Sequence, residues 1–185
     1  MAGKFWEYSE DDGKRLLKLA RQAIENEFDS NKKIEKLKEK QFLQARGVFV
    51  TITENSELRG CIGLPYPTKA LGEAVIDAAK SAGFSDPRFS PLSSDELEKI
   101  KLEISILTMP EEVKEIKEIK VGEDGLICNY IGYSGLLLPQ VAVEYKWSKL
   151  QFLEALCRKS GLPKDAWQKK DFKLFKFQAQ IFSER

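Results

Sequence analysis

The feature that most constrains this chain is internal. Sliding Gly47 onto Gly125 brings two long stretches together without a gap: GVFVTITENSELRG over GLICNYIGYSGLLL, and KALGEAVIDAAKSAGF over WSKLQFLEALCRKSGL, with Phe89 falling on Trp167. Each copy reads as a strand, a short turn, a returning strand and a helix. Such a unit cannot cover its own apolar face, so two copies are expected to pack together around a shared sheet.

The local patterns support that reading. Val48, Val50 and Ile52 alternate with Phe49, Thr51 and Thr53, the two-residue period of a strand. Glu54-Asn55-Ser56-Glu57 makes a turn, and Leu58 to Gly63 the return of a hairpin. From Lys69 to about Ala82, the residues Leu71, Ala74, Val75, Ala78, Ala79 and Ala82 form one helical stripe. Phe152, Leu153, Leu156, Cys157 and Ser160 occupy the matching positions, and Gly83 and Gly161 each read as a helix stop.

Leu102, Ile104 and Ile106 alternate with Glu103, Ser105 and Leu107 as a third strand, and Lys173 to Phe182 reads as its counterpart. Met109 to Asp124 connects the halves. Ser9 caps a helix over roughly 9–28 carrying Leu16, Leu17, Ala20, Ile24 and Phe28 on one side. Ser93 with Glu96 resembles a capping box, and Asn31 to Lys40 is a solvated, charge-rich stretch. The organisation expected is a single domain over 1–185, with repeat units at about 47–108 and 125–183.

Composition narrows the function classes. Thirty Lys and Arg against 29 Asp and Glu leave a net charge of +1, which gives no global field for nucleic acid or an anionic membrane. Nucleic-acid binding would need a local groove both basic and aromatic. The longest apolar runs fall well short of the ~20 residues of a membrane span. The three cysteines, Cys61, Cys128 and Cys157, have neither paired spacing nor a secretory context, and predict reduced thiols in the cytoplasm. There is no histidine, which excludes a Ser-His-Asp triad, a Cys-His dyad and histidine metal ligands. No metal and no other cofactor is expected. Acid–base chemistry is left to carboxylates, lysine, tyrosine or a thiol.

The repeat also sorts the cysteines. Cys128 aligns with Val50 and Cys157 with Ala79, so both read as small buried hydrophobes. Cys61 falls against Pro139 on the expected returning strand, within Leu58-Arg59-Gly60-Cys61-Ile62-Gly63. Period two puts Arg59, Cys61 and Gly63 on one side, where the guanidinium would favour the thiolate. Arg59 is thus a candidate partner for the nucleophile Cys61, with packed-thiol and ordinary ion-pair roles as the plainer alternatives. Gly60 and Gly63 leave room for a ligand or another backbone. Phe84-Ser85-Asp86-Pro87-Arg88-Phe89-Ser90-Pro91-Leu92 is a stiff loop presenting Asp86 and Arg88 as candidate ligand-orienting groups; a turn cap or a mutual pair is the alternative. Gln140 and Glu144 are further candidate ligand groups in the second copy, Glu144 otherwise an exposed structural glutamate.

Leu58 to Gly63, Phe84 to Phe89 with Pro91-Leu92, and Glu103 to Leu107 together resemble the hallmark run of the AMMECR-type domain family. So do Gly135-Leu136-Leu137-Leu138-Pro139-Gln140-Val141-Ala142, Trp147, Phe152-Leu153 and Gly161-Leu162-Pro163. The match runs in order from Gly47 to the C-terminus; Ala82-Gly83 and Ser90 depart from the pattern only at loop positions. The resemblance implies a cytosolic α+β fold in which two related β-rich units of two helices each share one curved, mainly antiparallel sheet, plus an N-terminal helix. It implies no established reaction. Related domains occur beside or fused to Memo-type proteins and radical SAM enzymes, which makes those the implied partners. The expected roles are an enzyme or enzyme-associated protein with Cys61 as nucleophile or redox thiol, or a noncatalytic partner-binding scaffold.

Overall fold

The structure is a computed structural model that describes residues 8–184. Helix α1 (Glu10–Phe28) opens the described chain. The Ser9 hydroxyl accepts the Asp12 N–H at 3.2 Å, and the Asp12 carboxylate accepts the Ser9 N–H at 2.9 Å. Two orphan donors of the first turn are satisfied together, beside the acidic residues Glu10, Asp11 and Asp12 that suit the positive end of the helix dipole. Its stripe of Leu16, Leu19, Ala20, Ala23 and Ile24 is buried. After the mostly exposed charged segment comes the short helix α2 (Lys40–Leu43).

The chain divides into two compact units, one of residues up to Leu107 with the closing segment from Gln180, the other of Thr108–Ala179. In the first, β1 (Val48–Glu54) and β2 (Glu57–Leu64) form a hairpin whose turn residues Asn55 and Ser56 have φ of 50° and 68°. Left-handed values at both positions fit the right-handed twist of the strands. Helix α3 (Leu71–Phe84) follows, then a 3₁₀ turn at Ser94–Glu96 closed by the Ser93–Glu96 capping box, and β3 (Ile100–Leu107). Val48, Val50 and Ile52 are fully buried with Leu102, Ile104 and Ile106 beside them, in one core with the stripes of α1 and α3. That core is the alternation of two strands meeting the period of two helices.

The second unit repeats the succession at a smaller size. The two-residue strand β4 (Glu111–Glu112) comes first, then β5 (Gly125–Tyr130) and β6 (Tyr133–Leu137), joined by Ile131 and Gly132 at φ of 47° and 82°. Helix α4 (Pro139–Glu144) begins with proline, and α5 (Lys149–Lys159) is capped by Ser148. Strand β7 (Lys173–Phe177) returns, and β8 (Ala179–Ser183) ends the fold. Among the described residues, five α-helices and eight strands make this an α+β protein.

Three expectations are corrected. The strands form two four-stranded sheets, β2-β1-β3-β8 and β4-β7-β5-β6, in place of one shared sheet. The alternating run Lys173–Phe182 is the reason. It breaks at Gln178, whose N–H donates to the Thr108 hydroxyl and whose carbonyl accepts the Thr108 N–H, both at 2.9 Å, so β7 serves one sheet and β8 the other. The ungapped slide also fails across the second hairpin, where β6 ends at Leu137 and Pro139 starts α4 instead of matching Cys61 on a strand. Proline fits the first turn of a helix, where its missing N–H costs nothing. Finally, Gly161 does end a helix, at φ +74°, but Gly83 lies inside α3. A Cβ at Gly83 would come within 3.0 Å of Leu92, whose N–H donates to the Gly83 carbonyl at 2.9 Å, so this glycine admits a neighbour.

Candidate functional site

Strand β2 is the outer strand of its sheet, so one row of its backbone groups lacks a neighbouring strand. At Cys61 that row is closed by side chains. The Cys61 N–H donates to Asp86 Oδ2 at 2.9 Å, and the Cys61 carbonyl accepts Arg88 Nη2 at 3.1 Å. Asp86 and Arg88 are themselves locked: Oδ1 accepts the Arg88 N–H at 3.1 Å and Nε at 3.0 Å, and Oδ2 accepts Nη2 at 2.7 Å. The pair thus imitates a missing strand over one residue.

Burial and charge follow from this arrangement. The Asp86 side chain is 1% exposed and that of Arg88 54%. The Arg88 hydrogen bonds hold the Asp86 carboxyl well below the usual carboxylate range; burial opposes them, and the N–H groups of Cys61 and Arg88 add to them. Arg88 is raised above its ordinary value, chiefly by Asp86. All the acceptor positions used on Asp86 face its own chain, so it works as a clamp. Arg88 keeps an outward side, with Phe89 beneath its guanidinium at 5.4 Å.

Arg59 does not stand beside the thiol. Its Nε donates to Glu96 Oε1 at 2.6 Å and Nη2 to Oε2 at 3.2 Å, while Nη1 and Nη2 donate to the carbonyls of Ser90 and Pro91 at 2.9 and 3.4 Å. The cause is a break in the ladder. Ile52 pairs with Gly60 and Thr53 with Leu58, leaving Arg59 as an extra, bulged residue. A bulge interrupts the two-residue period and re-aims its side chain. The guanidinium expected to favour the thiolate therefore braces the loop after α3. Glu96, drawn down to about 2 mainly by the Arg59 hydrogen bond, is its counter-charge.

The Cys61 sulfur meets the Thr51 hydroxyl at 3.2 Å and is partly exposed. Gly60 and Gly63 face the chain itself: a Cβ at Gly60 would strike the Ala82 carbonyl oxygen, and one at Gly63 the ring of Phe49. The room expected for a ligand is filled at both. Gln140 and Glu144 lie in α4 of the second unit. One buried side-chain oxygen of Gln140 has no hydrogen-bond partner among the described residues, and Glu144 is exposed. Cys128 and Cys157 are fully buried, and burial pushes both thiols up.

Two participants escaped the sequence patterns. Glu96 carried only a capping signal. Thr51 reaches Cys61 because of the bulge: counted from the Asn55-Ser56 turn, an unbroken ladder would set Cys61 opposite Val50. Among the described residues no group of three His, Cys, Asp or Glu side chains could hold a metal ion, and no helix is long and apolar enough to cross a membrane.

The chain is thus an α+β protein of two units, with a partly exposed cysteine on an edge strand held by an Asp-x-Arg loop. The AMMECR1 family profile matches residues 17–182, and the chain belongs to that family. A protein of Methanopyrus kandleri is 45% identical over 184 residues, covering 94% of this chain and 89% of its own. One of Methanothermobacter thermautotrophicus is 44% identical over 189 residues, covering 98% of each chain. The crystal structure of an uncharacterised protein from Pyrococcus horikoshii superposes with a TM-score of 0.89 at 42% identity, covering 97% of this chain and 95% of that one.

Proposed function

We propose that this AMMECR1-family chain works through the clamped edge of β2, as an enzyme or enzyme-associated protein in which Cys61 is a nucleophile or redox thiol. Arg88 would hold an anionic group of the substrate against it. One observation carries the reading. Of three thiols, two are fully buried, whereas Cys61 is partly exposed and has its backbone pinned by the half-exposed Arg88. A fixed cation beside an accessible sulfur is the environment in which cysteine chemistry is found.

The test is the alkylation rate of the folded protein with iodoacetamide, read per cysteine by mass spectrometry. Cys61 is expected to react well before Cys128 and Cys157 and faster than a model thiol at neutral pH. Arg88→Ala should slow it and Arg88→Lys should largely restore it. A Cys61 that reacts no faster than the model thiol, or is protected, removes it from the chemistry.

A second reading, noncatalytic docking of a partner such as a Memo-type or radical SAM protein, is favoured by the engagement of Asp86 and Arg59. Both are spent on the chain's own groups, and the hydrogen-bonding neighbour of the sulfur among the described residues is the Thr51 hydroxyl, which is not a general base. Co-elution of a purified Memo-type protein that is lost with Arg88→Glu, together with an unreactive Cys61, would carry that reading.

A further inference from the structure

On the first unit, away from Cys61, a cleft of about 350 Å³ opens between the segment before β1 and the first turns of α3. This lies at the lower end of the roughly 300–1,000 Å³ of small-ligand sites. Its wall is hydrocarbon: Leu19, Leu37, Phe42, Leu43 and Ile76. Leu43, 58% exposed, supplies open hydrocarbon at the rim. The cleft is fixed at one side by the chain itself, where the Leu71 N–H donates to the Gln44 carbonyl at 2.9 Å.

Gly72 keeps it open. It stands in the first turns of α3, where almost any other residue favours the helix more. A Cβ there would meet only Phe42 and Leu19, at 3.8 and 3.9 Å, which is ordinary contact. Nothing in the packing requires a glycine, and a larger side chain would project into the cleft.

The mouth is charged with a bias. Glu35 faces Lys18 and Arg15 at 3.3 and 3.9 Å, and Glu39 pairs with Arg15 at 2.7 Å. Glu35 and Glu39 are therefore occupied; Glu73, also at the mouth, has no ion-pair partner among the described residues, because Lys69 is held by Asp77, so one free carboxylate faces two free lysines. Lys36 and Lys38 also line the cleft, and neither forms an ion pair with any described residue.

From this combination we infer a binding site for an amphipathic carboxylate, its aliphatic chain lying on Leu43 and Ile76 beside Leu37 and its head group at Lys36 and Lys38. Decanoate is a suitable probe, with decanol and acetate as controls, added to the full chain and followed by calorimetry and by methyl NMR. Decanoate should bind at least tenfold more tightly than acetate or decanol, with shifts at Leu37 and Ile76. Gly72→Leu, which fills the cleft and favours the helix, should keep or raise the melting temperature and weaken decanoate at least tenfold. Lys36→Ala/Lys38→Ala should remove the preference for decanoate over decanol. Equal binding of decanoate to the folded Gly72→Leu protein, shifts elsewhere, or equal affinity for decanol and decanoate would overturn the assignment.

Discussion

The returning strand of the hairpin is an edge in both units, β2 in the first and β6 in the second, yet the two edges are finished by different chemistry. β6 is five residues long, carries no charged side chain and gives way to α4 two residues later. β2 has eight residues, is bulged at Arg59 and is clamped by Asp86 and Arg88. Shortness protects one edge, and paired charges protect the other. The difference teaches that a polar cluster on a hairpin can serve the fold first, and that a functional reading must start from the groups it leaves over. Here those are the Cys61 sulfur and the outward side of Arg88.

A shared device makes the comparison sharp. In each unit a glycine on the returning strand lets the end of a helix close in, Gly60 on Ala82 of α3 and Gly135 on Ser160, the residue that caps α5. At Gly60 the obstacle is a backbone carbonyl, and at Gly135 it is a hydroxyl that can rotate. Gly60→Ala should therefore cost about 3 kcal/mol in urea unfolding, and Gly135→Ala about 1 kcal/mol. Equal costs would break the parallel.

The next effect belongs to the charged edge alone. Glu96→Gln should destabilise by about 2 kcal/mol at neutral pH by weakening its grip on Arg59. Folding lowers the Glu96 pKa from 4.5 to about 2, so its contribution is present above pH 4.5 and is lost as pH falls toward 2. Stability curves of the variant and the parent should converge over that window; curves that stay parallel would mean the pair is not the source.

Asp86→Asn tests the clamp locally. Amide exchange at Cys61 should accelerate about tenfold, equivalent to about 1.4 kcal/mol, while the amides of β5 follow only the global stability. The smallest change is expected for Ser160→Ala. Its hydroxyl donates to the Leu156 carbonyl at 2.8 Å and touches the Cys128 sulfur at 3.0 Å, and the loss should stay near 1 kcal/mol in the same unfolding assay.

Much of the framework was legible because it rests on period. Val48, Val50 and Ile52, the stripe of α3, and the buried fate of Cys128 and Cys157 all follow from apolar residues recurring at strand or helix spacing. The loop residues Asp86 and Arg88 stood out through their stiff surroundings, and they do meet Cys61, through its backbone. Two of the failures share one cause. Arg59 left its expected face because one unpaired residue shifted the register, and Lys173–Phe182 kept a strand's alternation while changing sheets at Gln178. Alternation does not record where a ladder slips or which partner a strand takes.

By itself, the amino-acid sequence determined strands β1, β2, β3 and β5, helices α1, α3 and α5 and which thiols are buried, since hydrophobic burial is non-directional and only needs the right spacing. Tertiary structure decided where the charged groups point. Arg59 finds Glu96 across 37 positions of chain and Cys61 finds Asp86 across 25, and directional bonds of this kind exist only once the folded backbone has brought both ends within about 3 Å.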